Sequence, residues 1–324
     1  MDELLINKIF ENLSKSDIYP GCVIASISKQ NPNYYYHWTR DAALVMRVIV
    51  KHYNKRNDLR CFRQIINYIN VEKQLQELIT QGGLGEPKYN VNITSFNETW
   101  GRPQNDGPAL RGLVMLDIYK VFNEYSFIKD TILKIMKKDL KYILCYINTP
   151  CFDIWEEEMG YHLYTRAVQL KFLKEILVSG LFSEMKSEIE SNKKFLENLI
   201  IHHQNFITSF NLEGKKCREF DTSLLLLISH INYDFDIIDF TKPNFLEYIK
   251  NMRDYFRNTY KINNNSDILL LGRYKNDKYF GGNPWIICSA AYYQLLIKLK
   301  ELNINVLDEK INAISFRKFI ENEK

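Results

Sequence analysis

The segment Cys151-Phe-Asp-Ile-Trp-Glu-Glu-Glu-Met-Gly160 sets three consecutive glutamates, Glu156, Glu157 and Glu158, behind Trp155, with Asp153 two residues before that ring. Adjacent carboxylates repel one another, so burying any of them beside Trp155 must raise its pKa. A carboxylic acid kept protonated in this way can deliver a proton to a glycosidic oxygen. The same triplet could be a solvated acidic turn that favours the dipole of the next helix, but the tryptophan directly before it weighs against that reading. A second segment, Tyr34-Tyr-Tyr-His-Trp-Thr-Arg-Asp41, places three tyrosines and Trp38 beside Arg40 and Asp41. Such a surface can stack on a flat apolar face while its charged rim bonds hydroxyls, and sugars present that combination. An aromatic anchor with Asp41 capping a helix is the alternative.

A third segment runs Gly83-Leu-Gly-Glu-Pro-Lys-Tyr-Asn90 and then Trp100-Gly-Arg-Pro-Gln-Asn-Asp-Gly-Pro-Ala-Leu-Arg111. Its glycines open backbone conformations closed to other residues, and Pro108 suits the first turn of a helix, so Trp100, Arg102 and Asp106 are held on a stiff loop. Arg102 and Asp106 could pair merely to hold that loop, which would leave Trp100 unexplained. Arg218-Glu-Phe-Asp221 leads into an apolar run in which Asp221 could be a helix cap. Gly272-Arg-Tyr-Lys-Asn-Asp-Lys-Tyr-Phe-Gly-Gly-Asn-Pro-Trp285 supplies Arg273, Tyr279 and Trp285.

The elements that must carry these segments are helices. Leu44, Val45, Val48, Ile49 and His52 recur at helical spacing, as do Leu110, Leu113, Val114, Ile118 and Val121, and again Ile287, Ala291, Leu295 and Leu299. Further helices are expected over roughly 61–79, 127–147, 162–178, 184–204, 244–260 and 309–320, and no convincing strand pattern occurs. Six of the thirteen glycines and three of the eight prolines fall between Gly82 and Gly112, marking one long, shaped loop. All four tryptophans stand in breaker-rich loops that lead into a helix. Helices begin at or just after Asp41, Gly107, Gly160, Asp221 and Asn283, at intervals of 66, 53, 61 and 62 residues. Each interval fits one helix out and one back. That spacing predicts a closed ring of helical hairpins whose loops meet over one pocket, in a single domain over 1–324.

Composition fits a globular protein: of 324 residues, 46% are hydrophobic and 25% charged. A net charge of +4, from 43 basic and 39 acidic residues, is too slight for a nucleic-acid surface. The apolar runs, such as Leu224 to Ile228, fall far short of the roughly 20 residues of a membrane span. Asp2 and Glu3 stand where an export signal carries basic residues, so a cytoplasmic location is expected, or secretion if the start lies upstream. The six cysteines form no CxxC pair and suggest buried thiols rather than a metal site.

Taken in order, YYYHWTRD, GLGEPKYN, TWGRPQNDGPALR, FDIWEEEMG, FDTSLLL and GRYKNDKYFGGNPW resemble the glucoamylases of glycoside hydrolase family 15, from about residue 16 to about residue 300. The resemblance implies an all-α (α/α)6 barrel acting as an inverting exo-glucosidase. Its substrate would be an α-glucan such as starch or glycogen, opened at α-1,4 and more slowly α-1,6 links to release β-glucose. It implies Glu156 as general acid, and Arg40, Asp41 and Arg273 as groups holding the terminal glucose. Tyr34, Trp38, Trp100 and Trp155 become pocket walls, and Glu157 helps bind the next sugar. Asp153 matches an aspartate once assigned as a second catalytic carboxylate in the family. His37 departs from the small or hydroxylated residue usual there. Acid/base hydrolysis needs no metal or cofactor, and no partner beyond the glucan is implied for what is expected to be a monomer.

Inversion needs a second carboxylate across the sugar ring, roughly 6.5–9.5 Å from the acid. In the family it is a glutamate in a Ser/Ala-Glu-Gln loop near the C-terminus, and that motif has no match in this chain. Asp153 lies only three residues from Glu156, on the same side of the sugar by expectation, and Asp308 and Glu309 carry no pocket signature. The loop spacing agrees, since a sixth pocket loop would fall near 345. The barrel is therefore expected to be incomplete at its C-terminal end, with a glucan-binding remnant lacking the base as the alternative to a working hydrolase.

Overall fold

A computed structural model of the protein describes residues 3–264, 266–304 and 313–322. Asp308 and Glu309 lie outside the described residues. The chain opens with helix α1 (Glu3–Leu13), strand β1 (His37–Trp38), α2 (Thr39–Arg56) and α3 (Leu59–Leu75). Strands β2 (Lys88–Asn90) and β3 (Thr94–Ser95) follow, then α4 (Gly107–Phe122), α5 (Ser126–Tyr146), β4 (Cys151–Phe152) and β5 (Met159–His162). Next come α6 (Leu163–Ser179), α7 (Lys186–Ile201), β6 (Ser209–Asn211), α8 (Ser223–His230), α9 (Pro243–Thr259), α10 (Ile286–Glu301) and α11 (Ala313–Asn322). No helix among the described residues is long and apolar enough to cross a membrane.

Two compact groups emerge. The first holds the chain up to Phe152 with Glu156–Met159 and Gln169–Phe195. Its centre is α4, whose sequence is apolar round the whole circumference: Ala109, Leu110, Leu113, Val114, Met115, Leu116 and Ile118 are all buried, as a helix walled by others requires. Pro108 stands in its first turn as expected. On α2 the buried stripe is Ala42, Ala43, Met46, Ile49 and Val50, rotated from the expected one, and Leu44, Val45 and Val48 are only half-buried. The physical reason is size, since alanines let the α2 backbone come close to α4. Gly112 has the same use, because a Cβ there would meet the Phe172 ring at 2.5 Å. Asn57 in the left-handed conformation ends α2, and Asp58 begins α3 by accepting the Arg60 amide at 2.8 Å. Beneath β1 lies a buried charged network. The Val23 amide donates to His37 Nδ1, which leaves the ring proton on Nε2 facing Glu72 at 3.0 Å, and Arg111 bridges Glu72 and Asp139.

The second group holds Asp153–Trp155, Gly160–Val168 and the chain from Leu196 onward. The apolar run Leu224–Ile228 lies in α8 and is buried throughout, and α8 packs on α10, where Cys288, Ala291, Tyr292, Leu295 and Leu299 are buried. Ile287, expected in that row, stays exposed in the first turn of α10. On α9 the buried face is Phe245, Ile249, Met252 and Phe256, one residue every three or four as an amphipathic helix requires. Strand pairing here is antiparallel, with Gly160 opposite Asn211 and His162 opposite Ser209.

Candidate active site

In the first group a three-stranded antiparallel sheet, ordered β1-β2-β3, sets Trp38 opposite Lys88 and His37 opposite Tyr89. The end of β1 is the start of α2, so Trp38 occupies the helix cap position while Arg40 and Asp41 fall in the first turn. Asp41 therefore does not cap the helix. The Trp100 loop approaches from the other side, and Gly101 permits it: a Cβ there would lie 2.7 Å from the Phe152 ring and 3.0 Å from the Glu156 carbonyl oxygen.

Glu156 is where these elements converge. Trp38 Nε1 donates to its Oε1 at 2.7 Å, Gln104 Nε2 to the same oxygen at 2.9 Å, and Trp100 Nε1 to Oε2 at 2.9 Å. Arg40 lies 3.5 Å from Oε1 and donates to Asp106 Oδ2 at 2.7 Å. Burial raises the Glu156 pKa above the ordinary glutamate value, against the opposing pull of Arg40, Gln104 and Trp38, and Asp41 pushes it further up. Burial raises Asp41 likewise, partly offset by Arg40. The Glu156 backbone has φ +65°, a left-handed conformation unusual for a glutamate. Asp106 leaves its Oδ1 buried without a partner, an acceptor available to a hydroxyl or water. Tyr34 and Tyr36 meet Trp38 edge-on at 5.9 and 5.8 Å. Trp100 is 36% exposed, an outer wall rather than a core filler.

Arg102 does not pair with Asp106. Its Nε donates to both oxygens of buried Glu86 at 2.9 and 2.8 Å, and its terminal nitrogens donate to the carbonyls of Glu98 and Phe96. Each of its three nitrogens thus bonds the loop. Glu86 and Lys88 are functional candidates that reading by residue type passed over, although both stand in the glycine-rich stretch before Asn90. Lys88 is 2% exposed. Its ammonium sits 3.2 Å from the centroid of Trp100, 4.1 Å from Phe96, 4.5 Å from Tyr36 and 4.7 Å from Trp38. Burial lowers its pKa to about 8, with Glu156 and Glu98 opposing.

The second group gathers Trp155, Arg273, Tyr279 and Trp285. Asp221 fixes the indole of Trp155 by accepting its Nε1–H at 3.0 Å, and also accepts from Thr208 and the Ser223 amide. It is thus both a turn-former and a tether. Arg273 is fully buried, with Asp277 accepting from its Nε and Nη2 at 2.8 and 2.7 Å. Burial would raise Asp277, but Arg273 and the Tyr279 amide hold it below the usual range. The Arg273 guanidinium lies 4.6 Å from the Tyr279 ring, 5.2 Å from Trp285 and 5.6 Å from Trp155. Asp153 is buried and ion-paired with Arg218. Glu157 is exposed.

A family model described as glycosyl hydrolases family 15 matches residues 2–323. The chain belongs to that family. The sporulation-specific intracellular glucoamylase of Saccharomyces cerevisiae is 33% identical over 350 residues, covering 90% of this chain and 62% of that protein. Glucoamylase-1 of Schizophyllum commune is 33% identical over 295 residues, covering 85% and 51%. The chain thus spans about half the length of the curated relatives it matches. Among solved structures, the glucoamylase from Hypocrea jecorina superposes with a TM-score of 0.83 at 26% identity, over 99% of this chain and 59% of that one. The glucoamylase from Saccharomycopsis fibuligera gives 0.81 at 25%, over 98% and 76%. These likenesses bear out the all-α fold class of the (α/α)6 kind that the motifs implied.

Proposed function

We propose that this family 15 chain is a glucoamylase-type exo-glucosidase that cleaves α-1,4 and more slowly α-1,6 links from the non-reducing ends of an α-glucan. The observation that carries it is the setting of Glu156: a partly buried carboxyl with a raised pKa, oriented by two indole N–H groups and one amide. Protonated Glu156 gives its proton to the glycosidic oxygen as the C1–O bond breaks, and the resulting carboxylate is stabilised by Trp38, Trp100, Gln104 and Arg40. Arg40, Asp41 and the unpartnered Asp106 Oδ1 bond hydroxyls of the terminal glucose, while Tyr34, Trp38 and Trp100 give apolar faces to the ring. Arg273, Trp155, Tyr279 and Trp285 bind sugar as well, and Glu157 helps bind the next one. Release of β-glucose further requires a water on the face opposite Glu156 and a second carboxylate to take that water's proton. The chain works as a monomer inside the cell, a setting supported by the name of the Saccharomyces cerevisiae relative.

Asp153 is a poor choice for that second carboxylate, because it is buried and already ion-paired with Arg218. This favours a second reading, a glucan-binding chain without turnover. Incubating the purified chain with maltooligosaccharides, and following glucose and its anomeric form by proton NMR, separates the readings. β-Glucose that appears first and is abolished by Glu156→Gln supports the hydrolase. Binding by calorimetry with no glucose supports the second reading, and neither binding nor glucose defeats both.

A further inference from the structure

Lys88 is a buried cation whose surroundings are rings. Tyr36, Trp38, Phe96 and Trp100 close round its ammonium at 3.2–4.7 Å and pack edge to face on one another, Trp38 on Trp100 at 6.2 Å and Tyr36 on Phe96 at 5.2 Å. Cation–π attraction is strongest for tryptophan and grows when the cation is desolvated. The two tryptophans of this cage are the two whose N–H groups grip Glu156, one on each carboxylate oxygen. Lys88 is also the cross-strand partner of Trp38, so the sheet register, the cage and the acid form one mechanical unit.

We propose that Lys88 is a positioning residue for Glu156, acting through the indoles of Trp38 and Trp100. The inference rests on the reading of Glu156 as the acid. The ammonium fixes the tilt of both rings and draws electron density from their faces, so each Nε1–H becomes a stronger donor to the carboxylate. Both effects, and the positive charge itself, favour the ionised acid and limit how far burial can raise its pKa. The other charged groups facing Glu156 are Arg40 and Asp41 on α2, with Asp106 behind Arg40; those facing Lys88 are Glu156, Glu98, Glu86 and Arg102.

The test is carboxyl carbon NMR on the full chain, with the Glu156 resonance identified by its loss in Glu156→Gln. In Lys88→Met the Glu156 midpoint should rise by about half a pH unit or more, the size expected of one nearby buried charge, and the alkaline limb of kcat/KM should move the same way. Lys88→Arg, which keeps the charge, should restore most of it. In the unaltered protein, the Trp38 and Trp100 indole N–H resonances should shift together as Lys88 loses its proton near pH 8, a step absent from Lys88→Arg. This measurement decides the matter even if Lys88→Met does not fold. Indole resonances that stay flat from pH 6.5 to 10, or a folded Lys88→Met with the Glu156 midpoint unmoved, would overturn the proposal. Failure of the unaltered chain to hydrolyse any glucan would sink the glucosidase reading alone, because the NMR couplings need no turnover.

Discussion

At the scale of single residues, Glu156 carries two costs that a structural glutamate would not, a desolvated carboxyl and a left-handed backbone. Because its folded pKa is raised, the stability it contributes is fully present below the unfolded value and is lost as pH rises through the folded one. Glu156→Gln should therefore gain stability relative to the parent at pH 7 but not at pH 4, as measured by urea midpoints. The same sign governs catalysis. The acid works only while protonated, so the alkaline limb of kcat/KM should lie above the ordinary glutamate value of about 4.3. Glu156→Asn tests the backbone: asparagine tolerates the left-handed region, so it should raise stability by about 1 kcal/mol while glucose release falls by roughly 10²–10⁴. The acidic triplet stood out in the sequence because a tryptophan precedes it, while the choice of Glu156 among the three came from the resemblance to family 15. The partner of Arg102 was not, since Glu86 and Asp106 are equally acidic on paper and only the folded loop decides between them. Lys88 was hidden for a similar reason, as its four rings come from residues 36 to 100.

At the scale of elements, loops do the positioning and helices anchor them. Gly101→Ala would drive a methyl group into the Phe152 ring and the Glu156 carbonyl, costing about 1–3 kcal/mol and swinging Trp100 off its carboxylate. A loss of tenfold or more in kcat/KM, with little change in helix content by circular dichroism, is expected. In the second group, His203 accepts from Arg166 at Nε2 and donates from Nδ1 to the Ile207 carbonyl, which fixes the neutral ring. Burial lowers its pKa to about 4, with Arg166 adding to the effect. A depressed histidine gives stability that is present above the unfolded value and lost as pH falls toward the folded one, here on the order of 3 kcal/mol between pH 6.5 and 4. Urea midpoints should drop across that window, and less so in His203→Gln. Most helices were legible from periodicity to within a few residues, α3 over Leu59–Leu75 against an expected 61–79. The strands were not, because runs of two to four residues are too short to show alternation. Nor was α1, an amphipathic helix of only eleven residues.

At the scale of the whole molecule, the fold class was legible because the helix starts recur at nearly constant intervals, each behind a loop with its own rings and charges. Which residues group together was not, since a helix pattern says nothing of its neighbours. A chain that binds an α-glucan must gain stability by mass action. Glu156→Gln held at 100 times Kd in a maltooligosaccharide should gain about 2.7 kcal/mol, read as a rise of several degrees in Tm. An unchanged Tm would count against glucan binding in any form. The chain has four tryptophans, and each lies in one of the two aromatic clusters: Trp38 and Trp100 bond Glu156, Trp155 bonds Asp221, and Trp285 meets Trp155 edge-on. Its tryptophan emission, excited at the red edge where the 21 tyrosines do not absorb, consequently has no source outside the residues proposed to hold sugar. Every change in emission is then a report from those clusters, and the unlabelled protein serves as its own optical sensor of occupancy.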